Sequence, residues 1–164
     1  MDRPELIKNK VQELLNLMGI SPDITVTEEQ LDDEFNYSVL IEGKDLNFLI
    51  GYHGNSLNAL QTLLGLILNN EFEEWYPITV DINGYRSLRE EKLQEMVKNY
   101  IDRTRFSGDE VHLPTMPAFE RRLVHMFVSE YDDIESESRG EGLNRRVILR
   151  PTASFVEQIE EEDN

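Results

Sequence analysis

Leu46-Asn47-Phe48-Leu49-Ile50-Gly51-Tyr52-His53-Gly54-Asn55-Ser56-Leu57 is the stretch on which the reading of the fold turns. An apolar run ends at Gly51, a second glycine follows at Gly54, and Asn55 or Ser56 then stands where a helix cap is needed. From there Leu57, Leu60, Leu63, Leu64, Ile67 and Leu68 recur at helical spacing, which predicts a helix with that set as its apolar face. Two glycines flanking two residues let one backbone approach another closely. Amides at the start of the second helix can then face an anion, aided by the helix dipole. Alone, Gly-x-x-Gly is weak evidence, because many tight helix-to-helix turns hold two glycines.

The neighbouring segments strengthen it. Downstream, Ile78, Val80 and Ile82 alternate with Thr79, Asp81 and Asn83, which predicts a strand. Upstream, Leu6, Ile7, Val11, Leu14, Leu15 and Met18 place a helix over residues 4–18, with Pro4 in its first turn and Gly19 and Pro22 to stop it. Ile24-Thr25-Val26-Thr27 alternates as a strand, Asp32-Asp33-Glu34 reads as a polar turn, and Tyr37, Val39 and Ile41 form an antiparallel partner. Helix, strand, strand, helix, Gly-x-x-Gly, helix, strand is a complete α/β layer, near the lower size for an independent core.

The second half starts with a charged helix over residues 85–103, with Leu88, Leu93, Met96, Val97, Tyr100 and Ile101 on its buried side. Residues 104–116, holding Gly108 and Pro114, read as irregular. Pro117 suits the first turn of a helix running to about residue 131. A short strand near 134–137, a turn at Gly140 and Gly142, and a strand over 145–149 complete a second small α/β unit. The expected fold class is α+β: two small α/β domains, residues 1–83 and 84–151. An acidic tail, residues 152–164, has the charge density of a solvated, disordered end.

Composition narrows the function. Among 164 residues there is no cysteine, so neither disulfides nor thiolate metal sites are available. His53, His112 and His125 are too scattered for a metal cage, and neither metal nor cofactor is expected. The apolar run at residues 63–68 is far shorter than the roughly 20 residues that span a bilayer, so no membrane insertion is expected. The chain starts Met-Asp-Arg-Pro-Glu, without a basic and then apolar export signal, and a cytoplasmic location is expected. No nucleophile has a histidine at motif spacing, and residues 51–54 lack the Lys-Ser/Thr of a P-loop, so no enzyme is expected.

A net charge of −17 argues against nucleic acid in bulk, because affinity there rests on neutralising phosphates. Position matters more. Residues 1–85 carry 4 basic and 15 acidic side chains, whereas residues 86–150 carry 12 and 13. Within that second half, Arg121 and His125 project from one helix face, Arg122 flanks them, and Arg139, Arg145 and Arg146 follow. Forked cations and an imidazole converging on one surface make a phosphate-sized site. The bland reading is that Arg121 pairs with a carboxylate and His125 packs on the core.

Both halves resemble known domains. The first resembles a KH domain of the prokaryotic arrangement (type II), whose Gly-x-x-Gly loop clamps the backbone of single-stranded RNA. The resemblance implies an RNA contact at Gly51, Tyr52, His53, Gly54 and Asn55. Such loops usually carry a basic residue between the glycines, and here Tyr52 and His53 stand there. Two readings follow: a loop that stacks through Tyr52 and donates through His53, or a KH fold serving dimerisation and docking. Glu120-Arg121-Arg122-Leu123-Val124-His125, with Ser138-Arg139-Gly140-Glu141-Gly142 and Asn144-Arg145-Arg146-Val147, resembles the R3H domain, named for Arg-x-x-x-His.

That resemblance implies that Arg121 and His125 face passing phosphates from the exposed side of the helix. Arg122, Arg145 and Arg146 would extend the patch, and Arg139 would reach the same strand. A KH domain followed by an R3H domain is similar to the Jag/KhpB family over nearly the whole chain except the acidic tail. Many members carry a further N-terminal Jag domain, which this chain is expected to lack. The family implies a cytoplasmic protein that binds single-stranded RNA, with single-stranded DNA also open, and a post-transcriptional regulator linked to cell elongation and division. It also implies pairing with a small KH protein, and a homodimer through the KH half is the other expected assembly. The alternative is an adaptor that dimerises through the KH half and binds basic protein partners with little RNA affinity.

Overall fold

A computed structural model describes residues 2–31, 34–72 and 75–153. The expected turn at Asp32 and Asp33 and residues 154–164 of the expected tail lie outside these. The chain divides into two compact units, Met1–Ser87 and Leu88–Asn164.

In the first unit, helix α1 (Arg3–Leu17) starts where the Asp2 carboxylate accepts the Glu5 amide at 3.0 Å, with Pro4 in the first turn. Ile7, Val11 and Leu15 fall four apart and are fully buried. Met18, expected on that face, instead caps the helix and is exposed, because the chain leaves the helix at Gly19 with φ 78°. Strands β1 (Asp23–Leu31) and β2 (Glu34–Glu42) pair antiparallel, and β3 (Ile78–Ile82) joins β2 in parallel, giving the order β1-β2-β3. β1 runs past the expected Thr27 because hairpin pairing continues through Glu28, Glu29 and Gln30, which have no apolar alternation.

Helix α2 (Asn47–Ile50), a 3-10 turn (Tyr52–Gly54) and helix α3 (Asn55–Phe72) lie between β2 and β3. Leu57, Leu60, Leu64 and Leu68 of α3 join Ile7, Val11, Leu15, Tyr37, Val39, Ile41, Val80 and Ile82 in one core. Each such leucine contributes about 1.5–3 kcal/mol by leaving water. Leu63 and Ile67, expected on the buried face, are 46% and 36% exposed, and Leu66 is 60% exposed. The apolar arc of α3 is wider than the stripe its own unit covers.

The free margin of β3 is occupied at Val80 by side chains. The Val80 amide donates to Gln61 Oε1 at 2.9 Å, and the Val80 carbonyl accepts from Arg86 Nε at 2.9 Å. Arg86 Nη2 also donates to Gln61 Oε1, at 3.0 Å, so the two side chains brace each other.

The unit boundary falls within the first turn of helix α4 (Tyr85–Ser107). Leu93, Val97, Ile101 and Thr104 form its buried stripe. Leu88, expected there, is 49% exposed. The helix passes the expected end at Arg103 because Thr104 satisfies its hydroxyl on the Tyr100 carbonyl at 2.8 Å, and Gly108 at φ 69° then stops it. Residues 104–116 are therefore not all irregular: strand β4 (Val111–Thr115) lies there. Its alternation is short, only Leu113 is fully buried, and Pro114 sits on an edge strand, where a missing amide is tolerated.

Helix α5 (Ala118–Val128) follows, then β5 (Ile134–Arg139), a 3-10 turn (Gly142–Asn144) and β6 (Arg146–Pro151), in an antiparallel sheet of order β4-β6-β5. Val124 and Val128 of α5 pack with Leu93, Val97, Ile101, Val147 and Leu149. Two bidentate ion pairs brace the unit. Arg89 of α4 grips the fully buried Glu120 of α5 at 2.7 and 3.0 Å, and Arg105 grips Asp133 at 2.5 and 2.9 Å.

Candidate nucleic-acid interface

In the second unit, Ala118, Arg121, Arg122, His125, Met126, Ser129, Ser138 and Arg145 line an open pocket of about 470 Å³. Helical spacing places Arg121, Arg122, His125 and Met126 on the α5 wall, and Arg145, just before β6, supplies a cation from another segment. Arg121 is half-buried and donates from Nη1 to the Met116 carbonyl at 2.8 Å. Arg122 and Arg145 are exposed, and neither has a side-chain partner among the described residues. Arg89, Arg105, Arg139 and Arg150, by contrast, all pair with carboxylates.

His125 lies differently from the exposed position expected of it. Its ring is half-buried between two hydroxyls, with Nδ1 at 2.7 Å from Ser136 Oγ and Nε2 at 2.8 Å from Ser138 Oγ. Burial holds its pKa below the ordinary imidazole value, and the Arg121 guanidinium lowers it further. At neutral pH the ring is therefore uncharged. Two cations on α5 plus one before β6 form the charge of the pocket, with a neutral imidazole between hydroxyls.

Arg139 and Arg146 do not join this group. Cross-strand pairing aligns Ser136 with Leu149 and Ser138 with Val147 on the side facing the helices, whereas Arg139 pairs with Arg146 on the opposite side. There Arg139 bonds Glu110 at 3.0 Å and Glu137 at 3.1 Å, and Arg150 also bonds Glu137. Strand period two sends adjacent residues to opposite faces, which divides Arg145 from Arg146. Sequence reading missed Ser136 and Ser138. The available signal was Ile134-Glu135-Ser136-Glu137-Ser138, where small hydroxyls continue the phase of a buried isoleucine.

In the first unit the loop residues 51–54 have glycine-dependent geometry. A Cβ on Gly51, at φ 69°, would stand 2.1 Å from Ser56 Oγ, and one on Gly54, at φ 78°, would stand 3.1 Å from Tyr85 Cε1. His53 occupies the left-handed region at φ 51°. Tyr52 is 74% exposed and its ring meets that of His53 edge-on, with centroids 4.2 Å apart. Asn55 is exposed at the first position of α3. The loop thus presents an aromatic face and a helix N-terminus, without a lysine or arginine between its glycines.

Among the described residues no three side chains of metal-ligating type converge, and no helix is long and apolar enough to cross a membrane.

An α-β-β-α-α-β unit with a Gly-x-x-Gly turn, followed by a three-stranded unit bearing Arg121 and His125, defines a KH–R3H protein. Sequence profiles agree: that for the "KhpA/KhpB, KH domain" matches residues 8–80, and that for the "R3H domain" matches residues 91–151. Similar proteins in several bacteria carry the name RNA-binding protein KhpB. That of Clostridium symbiosum is 30% identical over 151 residues, covering 90% of this chain and 67% of the relative. That of Bacillus subtilis (strain 168) is 30% identical over 151 residues, covering 91% and 71%. That of Streptococcus pneumoniae serotype 2 (strain D39) is 30% identical over 125 residues, covering 74% and 38%. The chain belongs to the KhpB family.

Proposed function

We propose that this chain is a non-enzymatic binder of single-stranded RNA and that the α5 pocket supplies most of its affinity. The observation supporting this is three arginines, Arg121, Arg122 and Arg145, around one open pocket and without a carboxylate partner among the described residues, in a chain of net charge −17. In so anionic a molecule, guanidiniums left without carboxylates are suited to an external anion. The name of the relatives favours RNA over DNA as that anion's source. Backbone contacts here give affinity without reading sequence, and Tyr52 on the KH loop adds stacking. Arg139 and Arg146 contact RNA only by a path over the other sheet face, so they contribute less than Arg122 and Arg145. The family resemblance extends the reading to post-transcriptional regulation in the cytoplasm, linked to cell elongation and division.

Titration of a fluorescein-labelled single-stranded oligouridylate at several salt concentrations tests the pocket. Replacing Arg122 and Arg145 together by alanine should weaken binding about tenfold or more at low salt. The log–log salt slope should fall by about 0.7 for each phosphate that is no longer neutralised. Replacing Tyr52 and His53 by aspartate should cost less. A larger loss from the loop change would reverse the ranking of the two surfaces.

A second reading has its own observation. Leu63, Leu66 and Ile67 leave an apolar strip exposed on α3, which suits pairing of the KH unit with a second KH unit, in a homodimer or with a small KH protein.

A further inference from the structure

The ring of His125 has both nitrogens engaged, which removes it as a direct ligand of a phosphate and raises the question of what it does. A neutral imidazole carries one donor and one acceptor, so one serine must give it a proton and the other must take one. Ser136 and Ser138 are not equivalent. Ser138 lines the pocket and Ser136 does not. If Nδ1 carried the hydrogen, Ser136 Oγ would accept it and its own proton would need another acceptor. Among the described residues Ser136 Oγ has only His125 as a partner. A half-buried donor left unmatched is costly. With the hydrogen on Nε2, Ser136 donates to Nδ1 at 2.7 Å and Nε2–H donates to Ser138 at 2.8 Å. The Ser138 proton then turns into the open pocket, among Arg121, Arg122 and Arg145. The one donor left over in that arrangement is the Ser138 hydroxyl, which faces the pocket.

We propose that Ser138 is a direct ligand of the RNA backbone, donating its hydroxyl hydrogen to a non-bridging phosphate oxygen, and that His125 is a positioning residue orienting that hydroxyl from Ser136. This rests on the pocket reading above and deepens it. The Arg-x-x-x-His pair then divides its labour: arginine supplies charge, and histidine passes hydrogen-bond direction along β5 from Ser136 to Ser138. The depressed pKa of His125 is consistent with it, since only the uncharged ring can accept from Ser136.

Two measurements test it. In the free wild-type protein, long-range proton–nitrogen NMR should show His125 as the Nε2–H tautomer at neutral pH, and the Nδ1–H tautomer would overturn the proposal. In oligouridylate titrations, Ser138→Ala should weaken binding about tenfold, the scale of one hydrogen bond to a charged group. Ser138→Thr, which keeps the hydroxyl and suits a strand, should restore most of it. Ser136→Ala should cost a smaller factor, about threefold, by loosening the ring. Equal losses in Ser138→Ala and Ser138→Thr would mean that shape, not the hydroxyl, matters, and would overturn the proposal. Full binding by Ser138→Ala while the Arg122/Arg145 double variant fails would overturn the proposal and leave the pocket standing. Full binding by both would remove the pocket itself.

Discussion

His125 couples the second unit to pH. Burial, and then the Arg121 guanidinium, favour its neutral form in the fold. In the unfolded chain the same ring titrates at about 6.5, so the unfolded state takes up the proton first as pH falls. Its contribution to stability is therefore complete above that value and is lost as pH drops below it towards the lower folded pKa. Urea unfolding of wild type and His125→Asn should diverge in pH dependence across that window, with wild type losing stability more steeply on acidification. Parallel profiles would contradict the assignment. At this scale the shared face of Arg121 and His125 was legible in the sequence because they stand four apart on a helix with Arg122 beside them, whereas the half-burial of His125 was not. Ser136 and Ser138 were not, because hydroxyls alternating with Glu135 and Glu137 read as solvated strand. Which face Arg139 and Arg146 took depended on strand register, which is set by tertiary pairing.

At the scale of elements, α5 is held against α4 by more than its apolar stripe. Glu120 is fully buried beside the pocket residue Arg121, and the Arg89 fork neutralises it. Arg89→Ala should destabilise this unit by about 3 kcal/mol, because a desolvated carboxylate loses its cation. Chemical denaturation followed by circular dichroism measures this, and a double change to Arg89→Met with Glu120→Leu should recover much of the loss. A negligible effect of Arg89→Ala would show that other contacts satisfy Glu120. Helices α1 and α3, with long apolar periodicity, could be read from sequence, and Pro117 marked the start of α5. β4 could not, since Pro114 signals a break and one buried leucine, Leu113, makes no pattern. Nor could the covered arc of α3, because Leu63 and Leu64 look alike until the sheet takes only one of them.

For the molecule as a whole, the strip of Leu63, Leu66 and Ile67 makes a statement about assembly. If two KH units meet there, Leu66→Asp places a charge in an apolar seam and should convert a dimer to a monomer in sedimentation velocity, with thermal stability of the fold little changed because Leu66 is exposed. A wild-type protein that sediments as a monomer at high concentration would remove homodimerisation through this strip. Growth by another route is blocked on one side. With its amide and carbonyl already occupied by Gln61 and Arg86, Val80 offers an incoming chain no backbone partner, so the sheet cannot be extended there by templating. At that rim the protein is thereby guarded against fibrillar self-addition.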